Sequence, residues 1–423
     1  MERYSEYKDS GVQWLGEIPS HWSLRKMKYV FNERSEKNHP NEQPLCATQS
    51  KGVIPQSLYE GRVVVVNKGF DGLKFVREGD FVISLRSFQG GIEYAYYQGI
   101  ISAAYTILQP KEPQMAVYFK YLFKCHDFIQ LLQTCVTGIR EGQNINYPLL
   151  SKKSLPLPTL AEQQAIVSYL DIKCSKLDTL VENKEKEISL LSEMKQRVIA
   201  DAVTRGLNPS VKLKATNITW LPEIPEHWEV KRAKNIYKKE QRPIEDGDEI
   251  VTCFRDGEVT LRKNRRISGF TEATDYSHYQ HICKGDLVIH QMDAFAGSSG
   301  VSDSDGMGTP VLSVCTPKIS GIDNYYFAHI LRLMGKNGFI LSLYRGIRER
   351  SSDFRFETFV KQWLPVPPLS EQQAIVSYIT ERTAKIDSLV EKLNKEIECI
   401  KEYKQRLISD VVTGQVKVFG YER

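Results

Sequence analysis

Residues 162 to 169 read Glu-Gln-Gln-Ala-Ile-Val-Ser-Tyr, and the same eight letters return at 371 to 378, a spacing of 209 in a chain of 423 residues. A chain that repeats itself over half its length points to two copies of one scaffold, so each functional feature is sought twice. Three further anchors agree. Trp14-Leu15-Gly16-Glu17-Ile18-Pro19-Ser20-His21-Trp22 matches Trp220-Leu221-Pro222-Glu223-Ile224-Pro225-Glu226-His227-Trp228, and Gly79-Asp80-Phe81-Val82-Ile83 matches Gly285-Asp286-Leu287-Val288-Ile289. Gly138-Ile139-Arg140-Glu141 matches Gly346-Ile347-Arg348-Glu349. Between anchors the halves differ almost completely: Phe88 to Tyr97 reads FQGGIEYAYY, whereas the stretch from Phe295 reads FAGSSGVSDS. One scaffold carries two different surfaces.

Each half divides into a mixed region and a long helix. Leu155-Pro156-Leu157-Pro158 and Leu364-Pro365-Val366-Pro367-Pro368 are extended segments that cannot continue a helix, so they mark the junctions. Thr159 with Glu162, and Ser370 with Gln373, have capping-box spacing. Ile379, Ile386, Leu393, Ile400 and Leu407 then fall every seventh residue, with Leu389, Val390, Ile397 and Tyr403 beside them. The first helix carries Leu170, Leu177, Lys184, Leu191 and Val198, supported by Leu180, Val181, Ile188 and Met194. A sustained repeat of seven flanked by Glu and Lys predicts coiled-coil packing, and the two helices are the obvious partners for each other. Lys184 interrupts the stripe and reads as a register device or exposed point. Gly206 and Gly414 are placed to end the helices. The mixed regions read as strand-rich at Arg62–Val66, Asp80–Ser84 and Asp286–His290, then helical at Tyr118–Leu132 and Tyr325–Met334. The expected class is therefore α/β or α+β.

Hydrophobic residues make up 41% and charged residues 26%, which excludes a disordered chain. No apolar run is long enough to span a membrane and the start of the sequence lacks a signal-peptide core, so a cytoplasmic protein is expected. The eight cysteines form no CxxC pair. His278, His281 and Cys283 lie close together, but with no counterpart in the first half and no second ligand pair they read as strand and loop residues, and no metal is expected. A net charge of +5 permits nucleic acid as a partner, with basic runs at Lys231–Lys239 and Arg262–Arg266. No phosphate loop, dinucleotide fingerprint, zinc-protease motif or amino-methyltransferase element is present.

The two Pro-Leu-x-Glu-Gln-Gln-x-Ile helices, each preceded by a variable region that opens with Trp-Leu-x-Glu-Ile-Pro-x-His-Trp, resemble the specificity subunit of type I restriction-modification systems over nearly the whole chain. The resemblance implies a target-recognition domain at 1–158, a conserved spacer helix at 159–206, a second recognition domain at 207–367, a second spacer helix at 368–415 and a tail at 416–423. It implies two similar domains separated by antiparallel coiled-coil helices in a pseudo-twofold repeat. It also implies a chain without catalysis of its own, which binds double-stranded DNA, holds two modification (methyltransferase) subunits and joins restriction (translocase and nuclease) subunits. S-adenosylmethionine, ATP and magnesium would belong to those partners, with no cofactor in this chain. Two domains in opposite orientation would meet an asymmetric, bipartite target with an unread spacer. A recognition subunit for a fused type II methyltransferase-nuclease and a coiled-coil scaffold without DNA are the competing readings.

Base readers are sought among polar side chains on loops between the anchors. The first-half candidates are Arg86, Ser87 and Gln89, then Arg140, Gln143, Asn144 and Asn146. The second-half candidates are Gln291 and Asp293, then Arg345, Arg348, Arg350 and Ser351. Lys51, Lys68, Arg262, Lys263, Arg265 and Arg266 are candidates for phosphate contact. Arg140 and Arg348 are matched between halves and suit a shared role, whereas Gln89 and Gln291 sit in unmatched loops and suit specificity. The tryptophan pairs are expected to pack in a core or junction and not to stack on flipped bases.

Overall fold

Alternation along one short strand sets the layering of each half. In the first half a four-stranded sheet is formed by β1 (Phe31–Arg34), β2 (Phe81–Ile83), β3 (Glu93–Tyr94) and β4 (Thr106–Pro110), in the order β1-β4-β2-β3 with every pair antiparallel. Successive side chains on a strand point to opposite faces. Phe81 and Ile83 accordingly join a core with Phe31, Phe119, Phe123 and Phe128, while Val82 joins a smaller core with Leu45, Val53 and Val76 beneath a β-hairpin. In the second half β5 (Tyr237–Lys239), β6 (Leu287–His290), β7 (Ser299–Val301) and β8 (Leu312–Pro317) take the equivalent order β5-β8-β6-β7. Leu287 and Ile289 face one core and Val288 the other. The expected mixed α and β class is the one observed.

This computed structural model describes residues 2–61, 70–137, 144–266, 268–269, 275–343 and 354–418. The strand expected at Arg62–Val66 lies outside them. The helix expected over Tyr118–Leu132 is two helices, Ala116–Leu122 and His126–Thr134, because the Phe123 carbonyl turns to accept from the Ile92 N–H. Its counterpart, Asn324–Lys336, runs unbroken. Among the described residues no helix is long and apolar enough to cross a membrane.

The chain divides into two compact units, residues 1–185 with 393–423, and residues 186–392. Each unit therefore takes the start of one long helix and the end of the other. In the first unit Ile166 and Leu170 pack with Leu407, Ile408, Val411 and Val412; in the second, Ile375 and Ile379 pack with Ala202 and Val203. The helices run Leu160–Arg205 and Leu369–Val412. Within the first unit Asp178 pairs with Lys404 and Lys184 with Glu396, numbers that run in opposite directions and so define an antiparallel pair. Lys184 reaches Glu396 while its stem stays in the stripe, as a lysine at such a position can.

The heptad column through Ile379, Ile386, Leu393 and Leu407 is buried as expected. The supporting positions divide: Val181, Ile188, Val390 and Ile397 turn inward as expected, whereas Leu180 (43% exposed), Met194 (55%), Leu389 (41%) and Tyr403 (49%) face outward, and Cys174 and Lys404 extend the inner column. A stripe with alternating steps of four and three admits only one of two adjacent residues, and Val181 and Val390 lie on the side facing the partner helix.

The repeated motifs find their reason at the helix starts. The strand Ser23–Lys26, directly after His21-Trp22, pairs with Ser154–Leu157, and Glu229–Arg232 pairs with Trp363–Val366. That pairing returns the chain to the His-Trp dyad just where the helix begins. Glu162 accepts from His21 Nε2 (2.8 Å) and from the indole N–H of buried Trp22 (3.3 Å), and Glu371 accepts from His227 Nε2 (2.9 Å) and the Trp228 indole (3.0 Å). The next residue, Gln163 or Gln372, is buried and donates to the carbonyl of Pro158 or Pro367. The Thr159–Glu162 capping box forms, with Glu162 N–H donating to Thr159 Oγ1 and Thr159 N–H to the carboxylate. The Ser370–Gln373 box does not, because the helix starts at Leu369 and Pro368 takes the place of Thr159, offering its carbonyl to the N–H groups of Glu371 and Gln372. Proline has no N–H to leave unpaired at a helix start.

Gly206 and Gly414 end the helices at φ +73° and +80°, in the left-handed region open to glycine. A Cβ on Gly206 would meet Glu371 Oε1 at 2.7 Å, and one on Gly414 would meet Trp22 at 3.1 Å. Each helix end is thus packed on the clamp that starts the other helix. The repeated Gly-Asp is also a scaffold element: Asp80 caps the Arg77 N–H and pairs with Arg34 (3.0 Å), as Asp286 caps the Cys283 N–H and pairs with Arg242 (2.5 Å).

Burial alone would raise the Glu162 carboxyl, but hydrogen bonds from His21, Trp22 and Thr159 outweigh it and hold the group below the ordinary carboxylate value. Removing the acceptor in Glu162→Ala is expected to cost about 1–3 kcal/mol, read as a lower urea midpoint. The contribution of the ionised group is complete above the unfolded value of about 4.3 and is lost as pH falls through the lower folded value. The gap between wild type and Glu162→Gln should therefore narrow below about pH 4; a gap independent of pH would show that the charge on Glu162 does not contribute.

Candidate nucleic-acid interface

The first unit brings two sequence-distant turns together through one lysine. The hairpin of Leu45–Thr48 and Gly52–Pro55 turns at residues 49–51, and β2 runs into a turn and the short helix Ser87–Gly90. Lys124 Nζ donates to the carbonyls of Gln49 (3.1 Å) and Gly90 (2.8 Å) and to the carboxylate of buried Glu93 (2.5 Å). Burial lifts the Glu93 carboxyl to about 7 against the pull of Lys124, and burial likewise lowers Lys124. Holding these three groups fixes Lys51 on one turn beside Arg86 and Gln89 on the other, and the short helix also packs on the strand Asn144–Ile145. Lys51, Arg86, Gln89 and Asn144 are all exposed, and among the described residues none of the side chains of Lys51, Arg86 and Gln89 is tied by a hydrogen bond.

Other first-half candidates serve the scaffold. Ser87 is buried, and its hydroxyl accepts from the Ser84 N–H. Asn146 caps the helix Tyr147–Leu150 by accepting from the Leu149 N–H. Lys68, Arg140 and Gln143, and in the second half Arg345, Arg348, Arg350 and Ser351, lie outside the described residues. The tryptophans pack as expected, Trp14 edge-on to Phe128 and Trp220 against Phe339, with Trp22 and Trp228 fully buried.

In the second unit the same two turns meet through different chemistry. Arg332, six residues after Tyr326 as Lys124 is six after Tyr118, lies against Gly257 of the hairpin turn. Glu93, paired with Val82, is replaced by Gly300, paired with Val288, so the buried acid is missing. The turns are joined at the surface instead, where Arg255 pairs with Asp293 at 3.0 Å. Gln291 is half-buried and donates to Pro310 O and Ser313 Oγ at 3.3 Å, so its amide is partly committed to the fold.

The basic run is less free than its letters suggest. Lys263 pairs with Glu249 (2.5 Å), and Arg265 pairs with Asp256 and Glu258 (2.7 Å each) while lying 4.3 Å from the Phe254 ring. Arg266 donates to the carbonyls of Ser268 and Gly269, and Arg262 opens the same 3₁₀ turn, Arg262–Asn264. The acids come from other segments, which a count of local charge misses. Arg255 was also missed, as were the positioning residues Lys124 and Arg332, although the equal offset from the matched tyrosines was available as a signal.

Lys124→Met would leave Glu93 buried without its partner and is expected to destabilise the chain by about 3–5 kcal/mol, with Lys124→Met/Glu93→Leu recovering most of the loss. Urea denaturation of the single and double variants checks this; a single variant with an unchanged midpoint would mean that the pair does not hold the turns.

Residues 19–190 match the family model for the type I restriction modification DNA specificity domain. The type I restriction enzyme MjaVIII specificity subunit of Methanocaldococcus jannaschii is 25% identical over 360 residues, covering 81% of this chain and 80% of that one. Among solved structures, a chain from the complex assembly and conformational transition of the type I R-M system aligns over 94% of this chain and 99% of its own, with a TM-score of 0.66 and 15% identity. The HsdS subunit of Thermoanaerobacter tengcongensis aligns over 94% and 98%, with a TM-score of 0.50 and 14% identity. At these identities the structural likeness concerns the fold.

Proposed function

We propose, from the premise that the chain belongs to the type I restriction-modification specificity-subunit family, that it reads an asymmetric, two-part DNA target and performs no covalent chemistry itself. The observation that carries this reading is that two equivalent sheets present the same pair of turns with unlike side chains. The first unit offers Lys51, Arg86, Gln89 and Asn144, and the second offers Arg255, Gln291 and Asp293. Arginine reaches guanine in paired hydrogen bonds, and glutamine or asparagine reaches adenine, so the two sets suit different half-sites. Lys51 suits phosphate contact, which sets position without reading sequence.

The modification subunits would dock on the outward faces of the long helices. Leu180 with Leu389, and Met194 with Tyr403, are exposed apolar residues matched at a spacing of 209, as a surface used once per half would require. Restriction subunits would join through that complex, and S-adenosylmethionine, ATP and magnesium would be bound by the partners. The type II and scaffold readings are less favoured because the matched relatives are type I specificity subunits.

Sequencing of modified bases in cells carrying the complete system tests the reading. Arg86→Ala and Gln89→Ala are expected to relax one half-site by about 1–3 kcal/mol per base while the other half-site is unchanged. Loss of discrimination in both halves together, or in neither, would contradict the assignment. The long helices contribute to both units, so four residues added to each, roughly 6 Å of helix, should change the unread spacer by about two base pairs. An unaltered spacer in such a variant would remove the helices as the measure of half-site separation.

A further inference from the structure

The strand Gln280–Ile282 pairs antiparallel with Gly306–Gly308, with His281 opposite Met307. Cys283 directly follows the first strand and Asp305 directly precedes the second, so this register brings both beside His281. One donor atom from each of His281, Cys283 and Asp305 lies within 4.8 Å of the other two. The sequence placed His278 in this group; the fold substitutes Asp305, which is 22 residues beyond Cys283.

His281 is buried and oriented from behind. Its Nδ1 lies 2.9 Å from Asp248 Oδ2, and that carboxylate is itself nine-tenths buried. A carboxylate on Nδ1 keeps the proton there and leaves the Nε2 lone pair free, which is the arrangement that metal-binding histidines adopt. Glu245 Oε1 lies 3.9 Å from Nε2, too far for a hydrogen bond. Asp305 accepts the Lys284 N–H through Oδ1, which fixes that carboxylate. His281, Asp305, Glu245 and Asp248 line one polar cleft.

Among the described residues the first half has nothing equivalent. Its matched strand, Lys74–Val76, carries Phe75 in place of His281, stacked on His39 at 4.2 Å, and Arg77 occupies the position of Cys283. The ring stacked on a neighbouring loop in one copy is replaced in the other by a histidine, with a thiol and a carboxylate beside it.

We propose that His281, Cys283 and Asp305 bind a divalent transition-metal ion, with zinc the best fit and water in the fourth position. Imidazole, thiolate and carboxylate together suit zinc, whereas magnesium and calcium take oxygen ligands alone. Bonds of about 2.0–2.3 Å require the donors to draw closer together than they stand. Cys283 and Asp305 sit at strand ends, and Asp305 can turn its second carboxylate oxygen to the ion while the first keeps the Lys284 N–H. The thiol gives its proton to solvent on binding. The ion would lock His281 against Asp248 and so fasten the loop before Val251–Cys253 to the paired strands Gln280–Ile282 and Gly306–Gly308, steadying the strand that leads to Arg255.

The test uses the full chain, stripped with a chelator and titrated with zinc against a chromophoric competitor. One tight equivalent per chain is expected, weakened at least 100-fold in Cys283→Ser and His281→Gln and about 10- to 100-fold in Asp248→Asn, with Cys399→Ser unchanged. Cobalt in place of zinc should give thiolate-to-metal charge-transfer absorption that Cys283→Ser abolishes. Circular dichroism of the stripped variants confirms that each is folded. Absence of a stoichiometric site in the wild-type chain overturns the proposal whatever the variants do, and so does zinc binding that Cys283→Ser leaves intact.

Discussion

A glutamate that accepts from a histidine and a buried tryptophan is the fastening on which each unit depends. Glu162 with His21 and Trp22, and Glu371 with His227 and Trp228, tie the first turn of a long helix to the strand that opens a variable region. The indole N–H is buried in a hydrophobic core, where an unmade hydrogen bond is costly, and the first turn of the helix supplies its acceptor. This is why Glu-Gln-Gln and His-Trp recur together: each is the other's partner across about 140 residues. The glycine that ends the opposite helix packs on the same cluster, so entry and exit of the helices are set by one small polar group.

Upon that common base, the two units solve the same packing problem differently where they face outward. In the first, the two turns are joined by a buried ammonium and carboxylate, Lys124 and Glu93; in the second, glycine replaces the acid and the link moves to the surface as Arg255–Asp293. The sheet beneath is unaltered, since strand order and the inward set of side chains are shared. Turn chemistry can therefore change without disturbing the core.

Much of this was legible in the letters. The spacing of 209 announced two copies, the proline-rich junctions lay where the helices start, and in the heptad column Ile379, Ile386, Leu393 and Leu407 are buried and Ile400 half-buried. The misses come from partners that letter patterns do not weigh, whether a residue on the facing helix, an acid in the preceding hairpin or a backbone group in a local turn or cap. Leu180 and Val181 are equally apolar, and only the partner helix selects Val181 for the seam. Ser370 has the right letter for a cap, yet the position belongs to Pro368. Arg265 looks like a free cation until Asp256 and Glu258 arrive from the preceding hairpin. Ser87 and Asn146 were read as outward polar residues, but local turns and caps absorb them. Periodicity and repetition report on helices and cores; they are silent about which polar side chains remain unoccupied.

The first unit is assembled from two segments far apart in sequence, residues 1–185 and 393–423. Near its C-terminal end the Lys417 N–H donates to Glu2 O, Tyr7 donates its hydroxyl proton to Gly414 O, and Gln415 reaches Glu17 O. In the second unit the corresponding passage, from Gly206 to the strand Leu213–Ile218, is covalently continuous. One joint is therefore closed by hydrogen bonds between segments 398 to 407 residues apart, whereas its counterpart is supplied by the continuous chain, so the first unit has a far longer loop to close than the second before the same packing is reached.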